Sequence, residues 1–145
     1  MKVSIQEIQA NEEEEAIIRC HKIDADILSL IQKIKAQQDC LTGIAGEEIH
    51  RLRYDDIYYL EVVDNKSFFY CRDKLYESRL KLYEFETLCA GTGFFRASKS
   101  IVLNSDKIDF IKPSLSGRFE AVLTNRETVI VSRQYVNDLK KLLGL

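Results

Sequence analysis

The stretch DDIYYLEVVDNKSFFYC, residues 55–71, carries a strong structural signal. Aromatic and β-branched residues fill both of its halves, and such residues favour strands over helices. Between the halves stand Asp64, Asn65 and Lys66, a polar group of the kind that forms tight turns. The stretch therefore predicts two strands, at about residues 57–63 and 67–72, joined by a turn at residues 64–66.

Further strands are predicted on both sides of this pair. They lie at residues 40–45, 48–53 and about 75–79, and nearer the C-terminus in KIDFIKPS (107–114), RFEAVLT (118–124) and TVIV (128–131), with LSG as the turn of a hairpin. Two short helices are predicted, one at about residues 82–89 before Gly91 and one after Ser132, which we expect to cap it. The segment FFRASKSIVLN (94–104) is too mixed for a regular element beyond a few residues, so we expect a strand end and a loop there.

The N-terminal part has a different pattern. Residues 1–10 and 15–22 show the apolar alternation of strands, and the acidic run at residues 12–15 is predicted to form the turn between them. From Asp24, apolar residues recur at helical spacing, which predicts an amphipathic helix that ends near Gln38 and has Asp24 as its N-cap.

These patterns predict a strand-strand-helix leader at residues 1–39 and a β domain at residues 40–145. The fold class is mainly β with few short helices. The apolar stripe of the leader helix must pack on the leader strands, on the following domain or on a second copy of the chain. The leader is accordingly a candidate dimerisation or partner-binding element.

Charge is distributed unevenly along the chain, although the formal net charge is only −2. Residues 1–46 contain five basic and eight acidic side chains, whereas residues 94–145 contain nine basic and five acidic ones. A basic region favours contact with an anionic partner such as nucleic acid. The N-terminus lacks a signal-peptide pattern and no segment is apolar over the length of a bilayer, so we expect a cytoplasmic protein.

The sequence contains none of the common catalytic signatures, such as a P-loop or a nucleophile elbow. Its cysteines, with only His21 and His50 to join them in a metal site, form no Cys-x-x-Cys pair: Cys20, Cys40, Cys71 and Cys89. We expect them to be small buried apolar residues in a reducing cytoplasm. The chain is therefore predicted to be no enzyme, with no metal, no cofactor and no small-molecule substrate.

A set of polar and basic residues falls in predicted loops or helix starts between apolar elements, a placement that suits contact with anions. The set comprises Lys66, Arg96, Ser98, Lys99, Ser100, Ser132 and Arg133. Arg133 follows the predicted cap of the last helix, where a guanidinium next to free backbone N–H groups can hold a phosphate or reach a guanine edge.

The segments FFRASKSIVLN (94–104), KIDFI and VSRQYVNDLKKLLG (131–144) together resemble the LytTR DNA-binding domain family. The family pattern is F-x-R-x-x-x-S-x-x-V-N, an isoleucine-rich strand, and V-S-R-x-Y before a short helix. LKLYEFETL is similar to the family's helix before F-x-R, and DDIYYLEVVDNKSFFYC is similar to its I-x-x-I-E strand pair. The resemblance covers about residues 40–145.

This resemblance implies an elongated β fold whose loops, rather than a recognition helix, enter successive major grooves of direct-repeat sites in double-stranded DNA. Mapped by position, it implies DNA contacts at Lys66, at the loop of Ser98 and Lys99, and at Arg133. Arg96 and Asn104 are expected to support loops. Ala97-Ser98-Lys99 stands where many relatives have His or Asn, so the base preference of this chain is open.

The resemblance also bears on partners. Residues 1–39 are too few for the receiver domain that precedes many LytTR domains, and the chain is similar to stand-alone members encoded beside a small integral-membrane protein that restrains them. A homodimer, or two copies on repeated half-sites, is expected. The alternative is a protein-interaction module, an anti-regulator or membrane-partner sensor, with vestigial DNA binding.

Overall fold

A computed structural model describes residues 1–38 and 40–145 and contains, in those ranges, ten strands and three α-helices. The strands are β1 Cys40–Ala45, β2 Glu48–Arg53, β3 Tyr59–Val63, β4 Lys66–Tyr70, β5 Leu75–Ser78, β6 Phe94–Arg96, β7 Ile101–Asn104, β8 Ile108–Pro113, β9 Phe119–Leu123 and β10 Thr128–Val131. The helices are α1 Ala25–Gln38, α2 Leu82–Leu88 and α3 Val136–Leu142. The prediction of a mainly β chain with few short helices is confirmed.

The strands form two antiparallel sheets. The larger has seven strands in the order β2-β1-β5-β4-β3-β7-β6, and the smaller has three in the order β10-β9-β8. Strands β1 and β2 have the bounds that the sequence predicts, and β3 and β4 form the predicted hairpin. The hairpin turn is one residue shorter than predicted, because Lys66 already pairs with Val63 across the strands.

The short turn depends on its two central residues. Asp64 and Asn65 have φ values of 50° and 63°, the left-handed pair that a two-residue hairpin with the right twist requires. Asp and Asn tolerate this conformation better than other non-glycine residues because their side chains can hydrogen-bond locally. The turn fixes the register of β4 and leaves the Lys66 side chain exposed at the start of the strand.

Two hydrophobic cores hold the sheets. In the first, Phe85 of α2 is fully buried and contacts Phe69 and Phe94 edge to face, with ring centroids 5.3 Å apart in both pairs. The second core lies between the three-stranded sheet, α3 and the end of the large sheet, and contains Leu123 and Leu139, both fully buried. Both cores are built from the apolar faces that the alternation of the strands presents.

Residues 94–104 differ from the prediction, since they form two paired strands rather than a strand end and a loop. Strand β7 pairs with β6 on one side and with β3 on the other. Its central residues Val102 and Leu103 are almost completely buried. Pairing with β3, which lies about forty residues earlier, stabilises a strand that local pattern alone does not reveal.

The predicted leader strands are absent. Residues 1–22 contain only a turn, closed by the Glu12 N–H donating to the Gln9 carbonyl, and no strand. Val3 and Ile5 are 81% and 92% exposed, so the alternating apolar residues find no surface to pack on within the described chain. A strand without a partner leaves its backbone groups to solvent and buries no apolar surface. The apolar alternation of these residues is therefore not enough to form a strand.

The leader helix is confirmed. Helix α1 spans Ala25–Gln38, and the Asp24 carboxylate accepts a hydrogen bond from the Ile27 N–H at 2.9 Å, the contact of an N-cap. Ile27 is buried, and the Gln32 side chain lies so close to Gly91 that a β-carbon there would clash with it. Gln32 of α1 therefore lies against the following domain at Gly91, while Ile23 and Leu30 of the apolar stripe are exposed.

The last helix begins later than predicted. Arg133–Tyr135 form a single 3-10 turn, and α3 follows from Val136. Ser132 precedes the turn, but its hydroxyl makes no capping hydrogen bond; its carbonyl instead accepts from the Tyr135 N–H at 2.8 Å. The 3-10 turn thus separates Ser132 from α3, and the prediction that Ser132 caps this helix is wrong.

Candidate nucleic-acid interface

The loop between β6 and β7, residues 97–100, is held by its own backbone. The Ala97 N–H donates to the Ile101 carbonyl at 2.9 Å, and the Ser98 hydroxyl accepts from the Ser100 N–H at 3.3 Å. Lys99 is exposed at its tip, whereas Ser98 and Ser100 are half-buried. The loop therefore presents the lysine to solvent on a defined backbone.

Arg96, at the end of β6, ties this loop down. Its Nε donates to the Ser98 carbonyl at 2.9 Å and its Nη2 to the Lys99 carbonyl at 3.1 Å. Its Nη1 lies 3.3 Å from Oε1 of Glu86, on α2. The planar guanidinium can satisfy two carbonyls and a carboxylate at once because its five N–H groups are fixed in one fork.

Two backbone hydrogen bonds bring the other predicted segments to this loop. The Val62 N–H, near the end of β3, donates to the Ser100 carbonyl at 2.9 Å. The Ser132 N–H donates to the Ala97 carbonyl at 2.8 Å. The β3–β4 turn, the β6–β7 loop and the start of the last helical segment therefore lie side by side, although 70 or so residues separate the first from the last.

The cations of these segments are available for a ligand. Lys66, Lys99 and Arg133 are all exposed. Among the described residues, none of the three forms an ion pair with a carboxylate. Residues 62–66, 97–100 and 132–133 carry these three cations and one carboxylate, Asp64, so their formal charge is +2.

Asn104 lies at the opposite end of β7 from the loop. It is buried, its amide nitrogen donates to the Ile57 carbonyl at 3.0 Å, and its amide oxygen accepts from the Asp106 N–H at 3.1 Å. Asn104 thus fixes the turn after β7 and the chain entering β3. Its contacts are with the frame of the large sheet and not with residues 97–100.

Sequence reasoning missed one neighbour of the site, the loop between β8 and β9. A β-carbon built on Gly117 would lie 3.0 Å from Cδ and 3.2 Å from Cγ of Arg133. The loop also carries Arg118, which is exposed. LSG predicted a hairpin turn correctly, but only the packing of the three-stranded sheet brings that turn to Arg133.

The cysteines form no part of this site. Cys89 is buried and Cys71 half-buried, but Cys20 and Cys40 are exposed, so the prediction of four buried thiols is wrong for these two. Burial raises the pKa of Cys89 to about 12. Burial, together with Asp56, raises the pKa of Cys71 to about 11. In the part of the chain that the structure describes, no group of three potential metal ligands occurs.

A β-rich frame that presents on adjoining loops three cations without an ion pair among the described residues has a feature of the nucleic-acid-binding class. The chain belongs to the LytTR family: the sequence pattern of the LytTr DNA-binding domain matches residues 47–144. The predicted resemblance is confirmed. Membership of a DNA-binding family also agrees with the prediction that the chain is not an enzyme.

Solved and curated proteins agree with this assignment. A LytTr DNA-binding domain from Bacillus cereus superposes with a TM-score of 0.69 at 27% identity, covering 73% of this chain and 97% of that one. The sensory transduction protein LytT of Enterococcus faecalis is 32% identical over 103 residues, which are 70% of this chain and 43% of that protein. The match to LytT of Bacillus subtilis covers 52% of that protein, so the chain spans about half the length of these two relatives.

An uncharacterized HTH-type transcriptional regulator of Staphylococcus aureus is similar over more of its length. It is 26% identical over 141 residues, 95% of each chain. In residues 40–145 of the present chain, α2 and α3 are separated by five strands, so they do not form the adjacent helix pair of a helix-turn-helix. No helix among the described residues combines the length and apolar character that crossing a bilayer requires.

Proposed function

We propose that this chain is a transcription regulator that binds specific sites in double-stranded DNA through loops inserted in the major groove. The observation that carries the proposal is the joining of three cation-bearing segments by the Val62–Ser100 and Ser132–Ala97 hydrogen bonds. Loops on a rigid sheet can hold side chains in a fixed arrangement, which base recognition requires.

Each predicted contact residue has a role that its chemistry permits. Arg133 would bind a guanine edge with two N–H groups, the commonest specific contact in the major groove. Lys66 and Lys99 would contact phosphate or guanine. The hydroxyls of Ser98, Ser100 and Ser132 would contact the DNA backbone beside them, while Arg96 keeps the loop in shape.

We further propose that the protein acts in the cytoplasm as a homodimer, or as two copies on direct repeats, under the control of a partner protein. Residues 1–22 support this part, since Val3, Ile5 and Ile17 are largely exposed in the described chain. A second copy would supply a packing surface for them, and a small integral-membrane inhibitor is the candidate controlling partner. If a small membrane protein is encoded beside this chain, we expect vesicles that hold it to compete with DNA for the chain.

The central test is the salt dependence of binding to a site selected from random DNA. Each phosphate contact releases condensed counterions, so the logarithm of the binding constant falls with the logarithm of salt concentration by about 0.9 per contact. Contacts from two copies at Lys66 and Lys99 predict a steep slope in a fluorescence anisotropy titration. A binding constant that does not change with salt concentration, or a selection that enriches no DNA sequence, contradicts DNA recognition by residues 62–66, 97–100 and 132–133.

The alternative function, a protein-interaction module, is favoured by one observation, the exposure of Val3, Ile5 and Ile17. Deleting residues 1–22 tests it and leaves α1, whose Ile27 is buried, in place. If the chain is a regulator with a dimerisation leader, the truncated chain becomes monomeric in analytical ultracentrifugation and keeps its DNA affinity per subunit. If self-association disappears and the full-length chain selects no DNA site, the interaction module is the better description.

A further inference from the structure

The loop between β8 and β9, residues 114–118, has a well-defined backbone beside Arg133. The Ser114 N–H donates to the Arg118 carbonyl at 2.8 Å and closes the loop, and the Arg118 N–H donates back to the Leu115 carbonyl at 3.3 Å. Ser116 and Gly117 have φ values of 60° and 75°. Two successive left-handed residues turn the chain sharply, and the second of them is a glycine, which pays no steric penalty for this conformation.

Because Gly117 has no side chain, it also leaves room for the side chain of Arg133. The distances of 3.0 Å and 3.2 Å from a built β-carbon to Cδ and Cγ mean that the aliphatic part of Arg133 lies directly on the Gly117 backbone. A methyl group at this position would require the Arg133 side chain to shift by a few tenths of an ångström. The glycine therefore allows contact along the aliphatic part of the arginine, from Cβ to Cδ.

The same loop carries exposed groups of its own. Leu115 is 85% exposed, and Arg118 is exposed and forms no ion pair with any described residue. With residues 114–118 included, the formal charge of the adjoining segments rises from +2 to +3, because Arg118 is the loop's single charged residue. The loop thus extends the cationic surface on the side of Arg133.

We propose that the β8–β9 loop is part of the DNA-binding surface, with Gly117 as the positioning residue for Arg133 and Arg118 as an additional phosphate contact. The proposal rests on the proposed function, since it assigns roles within the same interface. An arginine side chain has many rotamers, and a contact along its stem limits them before binding, which lowers the entropy cost of holding the guanidinium at a base.

The positioning role is tested with Gly117→Ala, and Gly46→Ala is its matched control. Gly46 has a similar positive φ, 62°, but a β-carbon there would meet no atom within 4 Å. Both variants acquire the same backbone strain, whereas only Gly117→Ala displaces an arginine. We expect Gly117→Ala to weaken binding to the selected site about tenfold, the order of one lost base contact, and Gly46→Ala to leave it unchanged. Equal affinities of the two variants, checked to be folded by circular dichroism, overturn the positioning role.

A double-mutant cycle with Arg133→Ala separates positioning from a general effect on structure. If Gly117 acts through Arg133, the double variant Gly117→Ala/Arg133→Ala binds no more weakly than Arg133→Ala alone, and both lose the same base preference. Additive losses, with the base preference of Gly117→Ala intact, contradict the proposal. If the wild-type chain itself selects no site, the proposed function fails before this comparison is reached.

Arg118→Ala tests the phosphate contact. A phosphate contact carries no base information, so we expect binding to weaken for all sequences and the salt slope to fall by about one per subunit. An unchanged slope, with affinity unchanged, excludes Arg118 from the interface and confines the proposal to Gly117.

Discussion

The Nη2 of Arg96 donates to the backbone carbonyl of Lys99 at 3.1 Å. One basic residue therefore fixes the backbone of another, whose own side chain is left exposed. Arg96 is anchored in turn to Glu86 of α2, which packs in the first core. The position of the Lys99 ammonium thus depends on a chain of contacts that reaches the interior of the large sheet.

Arg96→Ala should weaken DNA binding without removing any of the cations proposed to contact DNA. The carbonyls of Ser98 and Lys99 lose their donors and the loop gains conformations that must be lost again on binding. We expect a loss of about 1–3 kcal/mol in stability, measured by urea unfolding, and a weaker affinity in anisotropy.

Two further variants control for charge. Arg96→Lys keeps the charge but cannot reach both carbonyls with one ammonium, so it should restore binding only in part. Glu86→Gln keeps an acceptor for Arg96 and should bind nearly as the wild type does. If Arg96→Ala binds DNA as tightly as the wild type does, the loop does not need the support of Arg96.

Lys99→Ala should reduce the affinity for the selected site by about 1–3 kcal/mol if the lysine reads a base. If it contacts phosphate instead, the salt slope falls by about one and the base preference is unchanged. Lys74→Ala is the control, since Lys74 is exposed beyond the end of β4 opposite to Lys66. Equal effects of the two variants would indicate general attraction rather than a defined contact.

Asn104→Ala should destabilise the fold but leave base preference intact. The substitution leaves the buried Ile57 carbonyl and the part-buried Asp106 N–H without their partner, and the unsatisfied buried carbonyl alone costs about 1–3 kcal/mol. Urea unfolding measures the loss, with Asn137→Ala, an exposed position on α3, as control. A changed base preference in Asn104→Ala would place this residue closer to the DNA than its contacts indicate.

The four thiols should react with iodoacetamide at two very different rates. Cys20 and Cys40 are exposed and react first, whereas Cys71 and Cys89 are shielded and have pKa values of about 11 and 12. The thiolate is the reactive form, and a raised pKa leaves little of it at neutral pH. Mass spectrometry of the folded chain at pH 7.5 should therefore show two rapid additions, and a third at the same rate would contradict the burial of these thiols.

The sequence predicted the parts of the fold that local pattern determines. The bounds of β1 and β2 and the β3–β4 hairpin are examples, because alternation and turn residues lie within a few positions of each other. Strand β7 was missed because its partners in β3 lie far away along the chain. The leader strands were predicted in error for the converse reason, since residues 1–10 have the pattern of a strand and no partner among the described residues.

In the site, too, local sequence predicted some features, and others depend on contacts between distant segments. The family pattern predicted DNA contacts at Lys99 and Arg133 and a supporting role for Arg96. Arg96 has the contacts that support of the loop requires. Nothing in the local sequence relates Gly117 to Arg133, sixteen positions later, because the contact arises only when β8 and β10 pair with the two sides of β9. The Glu86 anchor of Arg96 depends in the same way on the packing of α2.

Strand β7 places neighbouring residues in different cores: Val102 lies in the first and Leu103 in the second. Strand β7 is thus shared by the two cores, and neither core can open without exposing residues of β7 to solvent. Cooperative unfolding of residues 40–145 follows, with equal calorimetric and van't Hoff enthalpies. The β3–β4 turn belongs to one sheet and the residues after β10 follow the other. A half-folded state that keeps only one of these two segments would not accumulate, so the proposed DNA-binding segments would be present together or not at all.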